Sequence, residues 1–304
     1  MMGYRIKNAF CRPNWRLAIR ELCKPDDPLP AHSGLTEYSN LASPGSGWCA
    51  DPFLIEEAGR RYVFCELFEK ARNKGAIAAG ELVGGKLIDM RVVIRSEYHM
   101  SYPCVFRHGG ACYMIPETAD GGRIELYRAV EFPYAWRLDS TLATGIRCVD
   151  VTVFGHGGLL YAIGYKRTGR QNKVCLFRLD MEKKTLETIC EIDDSCTGRP
   201  AGNIMTWDGA LIRPAQASFR KYGESIQFKE ITSIGKESFA ERTHSALDGK
   251  DVSIGDGKAA DRIHTINRCG NMEIIDYSID AFDLFRPLRL ILSRARRKQM
   301  VQQQ

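Results

Sequence analysis

Long apolar runs are missing from this 304-residue sequence. No stretch approaches the roughly 18–20 apolar residues that a membrane span requires. The opening residues, MMGYRIKNAFCRPNW, carry no uninterrupted apolar core of the kind a secretory signal has, so export by that route is not expected. The eleven cysteines include no CxxC pair and no Cys/His spacing suited to zinc, which excludes a metal-knuckle reading. Cys104, Cys112 and Cys175 lie in apolar runs and read as small core residues of a reducing cytoplasm. There is no GxSxG and no Ser-His-Asp pattern, and GDGK at 255–258 lacks the rest of a phosphate-binding loop. Helical periodicity is scarce before the C-terminal tail. Acid is absent from Leu284 to Gln304, where Arg286, Arg289, Arg294, Arg296, Arg297 and Lys298 carry a charge equal to the whole net charge of +6. The remainder is near neutral, which argues against a body built to hold nucleic acid. What is present, 44% apolar and 26% charged residues, is enough to build a core.

A repeat organises that material. DPFLIEEAGRRYVFCE from Asp51, YPCVFRHGGACYMIPE from Tyr102, DVTVFGHGGLLYAIGY from Asp150 and AGNIMTWDGALIRPAQ from Ala201 align without gaps. Each has a short apolar run, a glycine at offset 8 (Gly59, Gly110, Gly158, Gly209) and Tyr62, Tyr113, Tyr161 or Ile212 at offset 11. The glycines mark tight hairpins between two short strands. Two further alternating runs follow each hairpin, the last only weakly in the fourth unit (FAERTHS). Four strands per unit of about 50 residues is the mark of a β-propeller blade. A fifth unit begins near Arg262 with Gly270 at offset 8 and lacks two strands. WRLAIR from Trp15 is expected to complete it and close the ring, which removes an open sheet edge. The reading is all-β: one five-bladed β-propeller over 1–283, closed by the strand near 15–20, then a short basic C-terminal helix over 284–304. Residues 24–47 and Lys236–Lys258, rich in turn formers or poorly periodic, read as loops.

In a propeller the first strand of each blade lines the channel and the second returns antiparallel. The start of one and the end of the other therefore share a face. The starts are Asp51, Tyr102, Asp150 and Ala201; the ends are Glu66, Glu117, Tyr165 and Gln216. One channel mouth is thus expected to gather Asp51, Glu66, Glu117 and Asp150, with Tyr102, Gln216 and, on blade four, Arg199 and Arg213. Grouped carboxylates repel unless cations, protons or ligand hydroxyls intervene. Such a group suits sugar hydroxyls or general acid–base work. Solvated rim carboxylates and strand-opening aspartates remain the plainer alternative. Trp48 and Tyr102 could stack on a sugar ring or simply pack between blades. The two arginines could bind a phosphate or pair with the surplus carboxylates.

Trp48-Cys-Ala-Asp-Pro-Phe53, Ser101-Tyr-Pro103, Met114-Ile-Pro-Glu-Thr118, Arg199-Pro-Ala-Gly202, Arg213-Pro-Ala-Gln216 and Tyr222-Gly223 resemble the N-terminal propeller domain of glucosamine inositolphosphorylceramide transferases, from about Trp48 to Asp276. That domain also occurs in bacterial proteins associated with surface-polysaccharide synthesis. The resemblance implies a five-bladed propeller related to arabinanase and xylosidase hydrolases. It does not carry over the transferase activity, because the chain has no room for the separate glycosyltransferase domain. In the related hydrolases an Asp base opens blade one, a pKa-tuning Asp opens blade three and a Glu acid opens blade four. Asp51 and Asp150 match the first two places. The third reads Arg-Pro-Ala-Gly, without a carboxylate, so Glu117 is the candidate replacement acid. Related hydrolases also place a His near a channel calcium ion, which makes His264 the candidate metal ligand, against the plainer reading of a core residue.

The expected roles are catalytic for Asp51, Glu117 and Asp150, and substrate-binding for Trp48, Glu66, Tyr102, Arg199, Arg213 and Gln216. The expected function is a carbohydrate-active or carbohydrate-binding propeller in surface polysaccharide or glycolipid synthesis. Its ligand would be a sugar, glycolipid or nucleotide sugar. The alternatives are a glycoside hydrolase or phosphorylase with Asp51 as base, and a non-catalytic scaffold for a glycosyltransferase. In the tail, Leu288, Ile291 and Leu292 fall at helical spacing among arginines. That helix either packs on the propeller or meets an anionic membrane. The expected location is the cytoplasm, with peripheral contact at the inner membrane face.

Overall fold

A computed structural model describes residues 11–30, 34–42, 47–168, 171–194, 197–255 and 257–284. The tail helix expected beyond Leu284 lies outside them. Five antiparallel sheets form the blades of a β-propeller. Blade one is Gly47–Glu57, Arg60–Glu69, Lys74–Val83 and Lys86–Ile94. Blade two is Ser101–His108, Ala111–Glu117, Arg123–Glu131 and Ala135–Thr144. Blade three is Cys148–His156, Leu159–Thr168, Gln171–Asp180 and Thr185–Asp194. In blade four the first strand is broken into Arg199–Pro200 and Met205–Trp207, followed by Ala210–Ala217, Ser225–Ile234 and Phe239–Asp248.

Blade five joins the two ends of the chain. Arg262–Cys269 and Met272–Ser278 form its inner hairpin, and Trp15–Glu21 pairs antiparallel with the second of these, Trp15 opposite Ser278 and Glu21 opposite Met272. Thr36–Leu41 adds the fourth strand, and Val252–Ile254 pairs parallel to it. One segment expected as a loop, 24–47, contains the strand Thr36–Leu41; within the other, 236–258, the weak fourth strand of unit four runs over Phe239–Asp248 and Val252–Ile254 adds a strand that was not expected. Both lie at blade edges, half in solvent, where alternation is weak because only one face is buried.

The hairpin glycines have a direct physical cause. Ala58–Gly59, Gly109–Gly110, Gly157–Gly158 and Asp208–Gly209 each place two consecutive residues at positive φ. That is the two-residue turn whose twist matches paired strands. Three residues past each glycine, Tyr62, Tyr113, Tyr161 and Ile212 are buried between blades. Cys104, Cys112 and Cys175 are buried free thiols.

A second repeated feature lies at the channel. The inner hairpins break register at Ala50/Phe53, Ser101/Cys104, Val149/Thr152 and Ile263/Ile266. In the first three the residue entering the break, Asp51, Tyr102 or Asp150, is left-handed, with φ of 51°, 45° and 53°. L-residues avoid this region, and Asp tolerates it better than most. The kink turns these side chains inward. In blade five the residue entering the break is His264, so His264, and not Arg262, stands where Asp51 stands in blade one. The blade-five hairpin is shorter, which displaces the glycine alignment. In blade four the place is taken by Ala201–Gly202, and Gly202 has φ 134°. A Cβ there would lie 1.8 Å from the Ile266 carbonyl oxygen. The Gly202 N–H donates to the Tyr102 hydroxyl at 2.6 Å, and Ile266 N–H donates to Ala201 O at 2.8 Å. Blades two, four and five are thus tied at the axis.

Candidate functional site

The mouth group is built around an ion cluster. Asp276, on the second strand of blade five, is fully buried. Its Oδ1 accepts the N–H groups of His264 (3.1 Å) and Thr265 (2.8 Å), and its Oδ2 accepts the Asp51 N–H (2.8 Å). His264 Nδ1 sits 2.6 Å from Asp276 Oδ2, a charge contact whose angle falls outside hydrogen-bond geometry. On the other side His264 Nε2 is 3.3 Å from Asp51 Oδ1, which also accepts the Thr265 hydroxyl at 2.9 Å. Asp51 Oδ2 accepts the Tyr102 N–H at 3.3 Å. Trp15 stacks on the His264 ring at 4.1 Å, and Tyr222 meets it edge-on at 4.9 Å.

The second half of the group surrounds Asp150. Arg199 forks onto it through Nε and through Nη2 at 3.1 Å, and Nη2 also reaches Glu117 Oε2 at 3.5 Å. Gln216 Nε2 donates to Asp150 Oδ2 at 3.2 Å. The Arg199 guanidinium lies over the Tyr222 ring, 5.5 Å from its centre. Glu66 lies nearby. Its Oε1 is 3.4 Å from His99 Nε2, and His99 Nδ1 accepts the Gly75 N–H, which fixes the proton on Nε2.

Burial sets the charge states. It pushes Asp51 up to about 6, with His264 opposing and Asp276 and Asp150 adding to the rise. Glu66 is raised well above the usual carboxylate range by burial and then by Asp51 and Glu117. Glu117 is raised likewise by burial and Asp150, against the pull of Arg199. Burial alone would lower His264, but Asp276 and Asp51 outweigh it and the net direction is upward. Burial thus favours the neutral acid at Glu66 and Glu117, and the two carboxylates beside His264 favour its charged form.

A stability profile follows. An acid whose folded pKa exceeds its unfolded one binds extra protons in the native state, so stability falls as pH rises from the unfolded value through the folded one. Asp51, Glu66 and Glu117 all act in this direction above about pH 4. The stabilising charge of His264 is likewise lost as pH rises through its raised value. The melting temperature is expected to be higher near about pH 5.5 than near about pH 8.5, and Glu66→Gln should flatten the slope. Calorimetry across that range checks it; a flat or rising profile would contradict the charge assignment.

Each expected residue now has a place. Asp51, Glu66, Glu117, Asp150, Arg199 and Gln216 come together, but only some meet solvent. Asp51, Glu66, Asp150 and Gln216 are buried, whereas the side chains of Glu117 and Arg199 are 14% and 22% exposed and Tyr222 is 41% exposed. Tyr102 is not a stacking surface. It is fully buried, and its hydroxyl is held by Thr152 and Gly202. Arg213 is also removed from the mouth: it is 1% exposed and spends its donors on Glu241 (2.8 and 2.7 Å) and Gly198 O (2.9 Å). Side chains alternate along its strand, and Arg213 falls on the face opposite Gln216. Trp48 stacks one face on Phe68 at 4.6 Å and is half-buried. The repeat alignment passed over Asp276, Tyr222 and His99. Asp276 carries no signal of its own, because it lies one residue before the repeated strand-end position. Tyr222 was legible only as part of the Tyr222-Gly223 pair.

Asp51, His264 and Asp276 offer ligand atoms within 4.8 Å of one another. Calcium takes six to eight oxygens. Here one ligand is an imidazole, and the four carboxylate oxygens already accept protein donors. The set does not fit calcium; the His264 ring instead lies between the two carboxylates, which favour its charged form.

At the far end of the channel Arg268 donates to the Asp27 and Pro28 carbonyls at 2.7 and 3.0 Å, which draws this segment across it. A cavity of about 980 Å³ lies elsewhere, between the outer parts of blades three and four near Tyr161, Cys190 and Ile234.

Architecture defines the class first: a five-bladed β-propeller. The chain is similar in shape to the catalytic domain of the Coprinopsis cinerea GH62 alpha-L-arabinofuranosidase, with TM-score 0.57 and 12% identity over 88% of this chain and 99% of that one. It is also similar to the Bombyx mori GH32 beta-fructofuranosidase BmSUC1, with TM-score 0.53 and 11% identity over 79% and 68% of the two chains. At such identities the likeness concerns fold alone. Sequence is more specific. Residues 35–266 match the family described as glucosamine inositolphosphorylceramide transferase 1, N-terminal, and the chain belongs to that family. It is 29% identical over 215 residues to glucosamine inositolphosphorylceramide transferase 1 of Arabidopsis thaliana, covering 67% of this chain and 28% of that protein. The Oryza sativa subsp. indica protein of the same name is 27% identical over 207 residues, 64% of this chain and 28% of that one. The chain thus spans 28% of the length of these relatives. Among the described residues no helix is long and apolar enough to cross a membrane.

Proposed function

We propose that the chain binds a carbohydrate at the channel mouth and serves surface polysaccharide or glycolipid synthesis beside a glycosyltransferase partner. One observation carries this reading: among the solvent-reaching groups are Glu117, whose carboxyl burial pushes toward the neutral form, Arg199, held by Asp150, and the ring of Tyr222. A neutral carboxylic acid donates and accepts, a guanidinium donates, and an aromatic face stacks on a sugar ring. Together they suit vicinal hydroxyls. Asp150 and Gln216 position Arg199, and Asp51 with Asp276 and His264 holds the axis. The family's name supports a glycolipid setting, and the matched portion of the relatives leaves most of their length for other domains. A cytoplasmic, membrane-peripheral location agrees with this setting.

A second reading is bond cleavage or transfer, with Asp51 as base, Glu117 as acid and Asp150 as tuner. The raised pKa of Glu117 favours it, since a general acid must be protonated at working pH. Two observations weigh against it: Ala201 stands at the blade-four acid place, and both Asp51 oxygens are already bonded. A glycan array read beside an activity screen on aryl glycosides and nucleotide sugars separates the two. Binding retained in Asp51→Asn with no turnover in either protein is the expected result. Turnover abolished by Asp51→Asn would establish the second reading. No binding by a folded protein would reject the first.

A further inference from the structure

Two loops of the mouth face carry exposed apolar side chains. The strand Ala210–Ala217 runs from its hairpin toward the mouth, so residues 218–224 emerge there; Met272–Ser278 runs the same way, so 279–284 emerge there too. The loops are held together through Asp261 and Arg262. Arg262 donates to Tyr222 O at 2.8 Å and forks onto Asp280 at 2.7 and 2.8 Å, and Lys221 Nζ donates to Asp261 O at 2.6 Å. The surface they form exposes Phe219 (63%), Tyr222, Ile279, Phe282 (72%) and Leu284. Apolar side chains gathered at one rim call for an apolar partner. Charge indicates which one. Exposed Arg16 and Arg220 border the rim, although Arg220 also pairs with Glu224. Immediately after Leu284 the sequence supplies six arginines and lysines and no acid.

We infer that the mouth face of blades four and five docks on an anionic lipid bilayer, with Phe219, Phe282 and Leu284 entering the interface and Arg16 and Arg220 facing the lipid charge. Peripheral binding by apolar side chains ringed with basic ones has this composition. The docking stands on the rim alone. Its consequence, that the bound sugar is the headgroup of a lipid-linked glycan, rests on the carbohydrate reading above.

The full chain is tested with phosphatidylcholine vesicles with and without about 30 mol% phosphatidylserine. Co-sedimentation is expected with the anionic vesicles and is expected to weaken at high salt. Phe219→Ser with Phe282→Ser should reduce partitioning at least about tenfold, because each benzyl side chain leaves an apolar site. Both positions are exposed, and circular dichroism verifies the fold. Orientation is read with single tryptophan replacements and brominated lipid, subtracting the wild-type signal. Phe219→Trp is expected to be quenched. Val130→Trp, exposed at the far end of the blade-two strand Arg123–Glu131, is expected to be unaffected. Absence of co-sedimentation, equal quenching at both positions, or co-sedimentation with neither quenched (binding by the tail alone) would each overturn the inference. None of these outcomes alters binding to a soluble glycan, so the carbohydrate reading is judged separately.

Discussion

Asp276→Ala is expected to unfold the propeller at a temperature roughly 10 °C below the wild type, from a loss of about 3–5 kcal/mol. Three buried N–H groups, those of Asp51, His264 and Thr265, end on this carboxylate. Without it they are stranded, each at a desolvation cost. His264 also loses one of the two carboxylates that flank its ring. Because Asp51 N–H belongs to blade one and His264 to blade five, the contact between these two blades is the place that weakens. Asp276→Asn keeps one acceptor oxygen and should lose less. Differential scanning calorimetry on the three proteins measures this. A variant Asp276→Ala that melts with the wild type would show that the axis is held elsewhere.

Arg199→Lys is expected to reduce glycan affinity about 10- to 100-fold while leaving the fold intact. Lysine retains the charge opposite Asp150 but has no fork. It cannot bridge Asp150 and Glu117 while still presenting donors to the mouth. Arg199→Ala goes further and leaves the buried Asp150 with Gln216 as its side-chain donor, so it is expected to lose stability as well as binding. The lysine variant separates the two effects. Titration calorimetry with the best array glycan gives the affinity, and unchanged binding in Arg199→Lys would remove Arg199 from the site.

The blades were legible because each hairpin uses the same two-residue turn, which needs positive φ and therefore glycine at a fixed offset. The tyrosines at offset 11 marked the packing between blades for the same reason. Thr36–Leu41 escaped because an outer strand beside solvent needs no strict alternation, and its partner Val252–Ile254 is parallel and distant in sequence. At the site, the shared face of strand starts and ends was enough to bring Asp51, Glu66, Glu117 and Asp150 together. It could not distinguish which of them would be closed off. That depends on Thr265, Arg199 and Gln216 as donors, and on Asp276, which no repeat position indicates. Arg213 and Tyr102 were misplaced for a related reason. A one-residue shift along a strand reverses the face of a side chain, and a left-handed turn at the start of a strand directs a ring into the core.

The most direct measurement is a crystal structure of the chain soaked with its strongest array glycan. The account predicts sugar density at the channel mouth, with hydroxyls bonded to Glu117 and Arg199 and a ring against Tyr222. Density confined to the cavity between blades three and four, or a mouth left without sugar at saturating glycan, would contradict it.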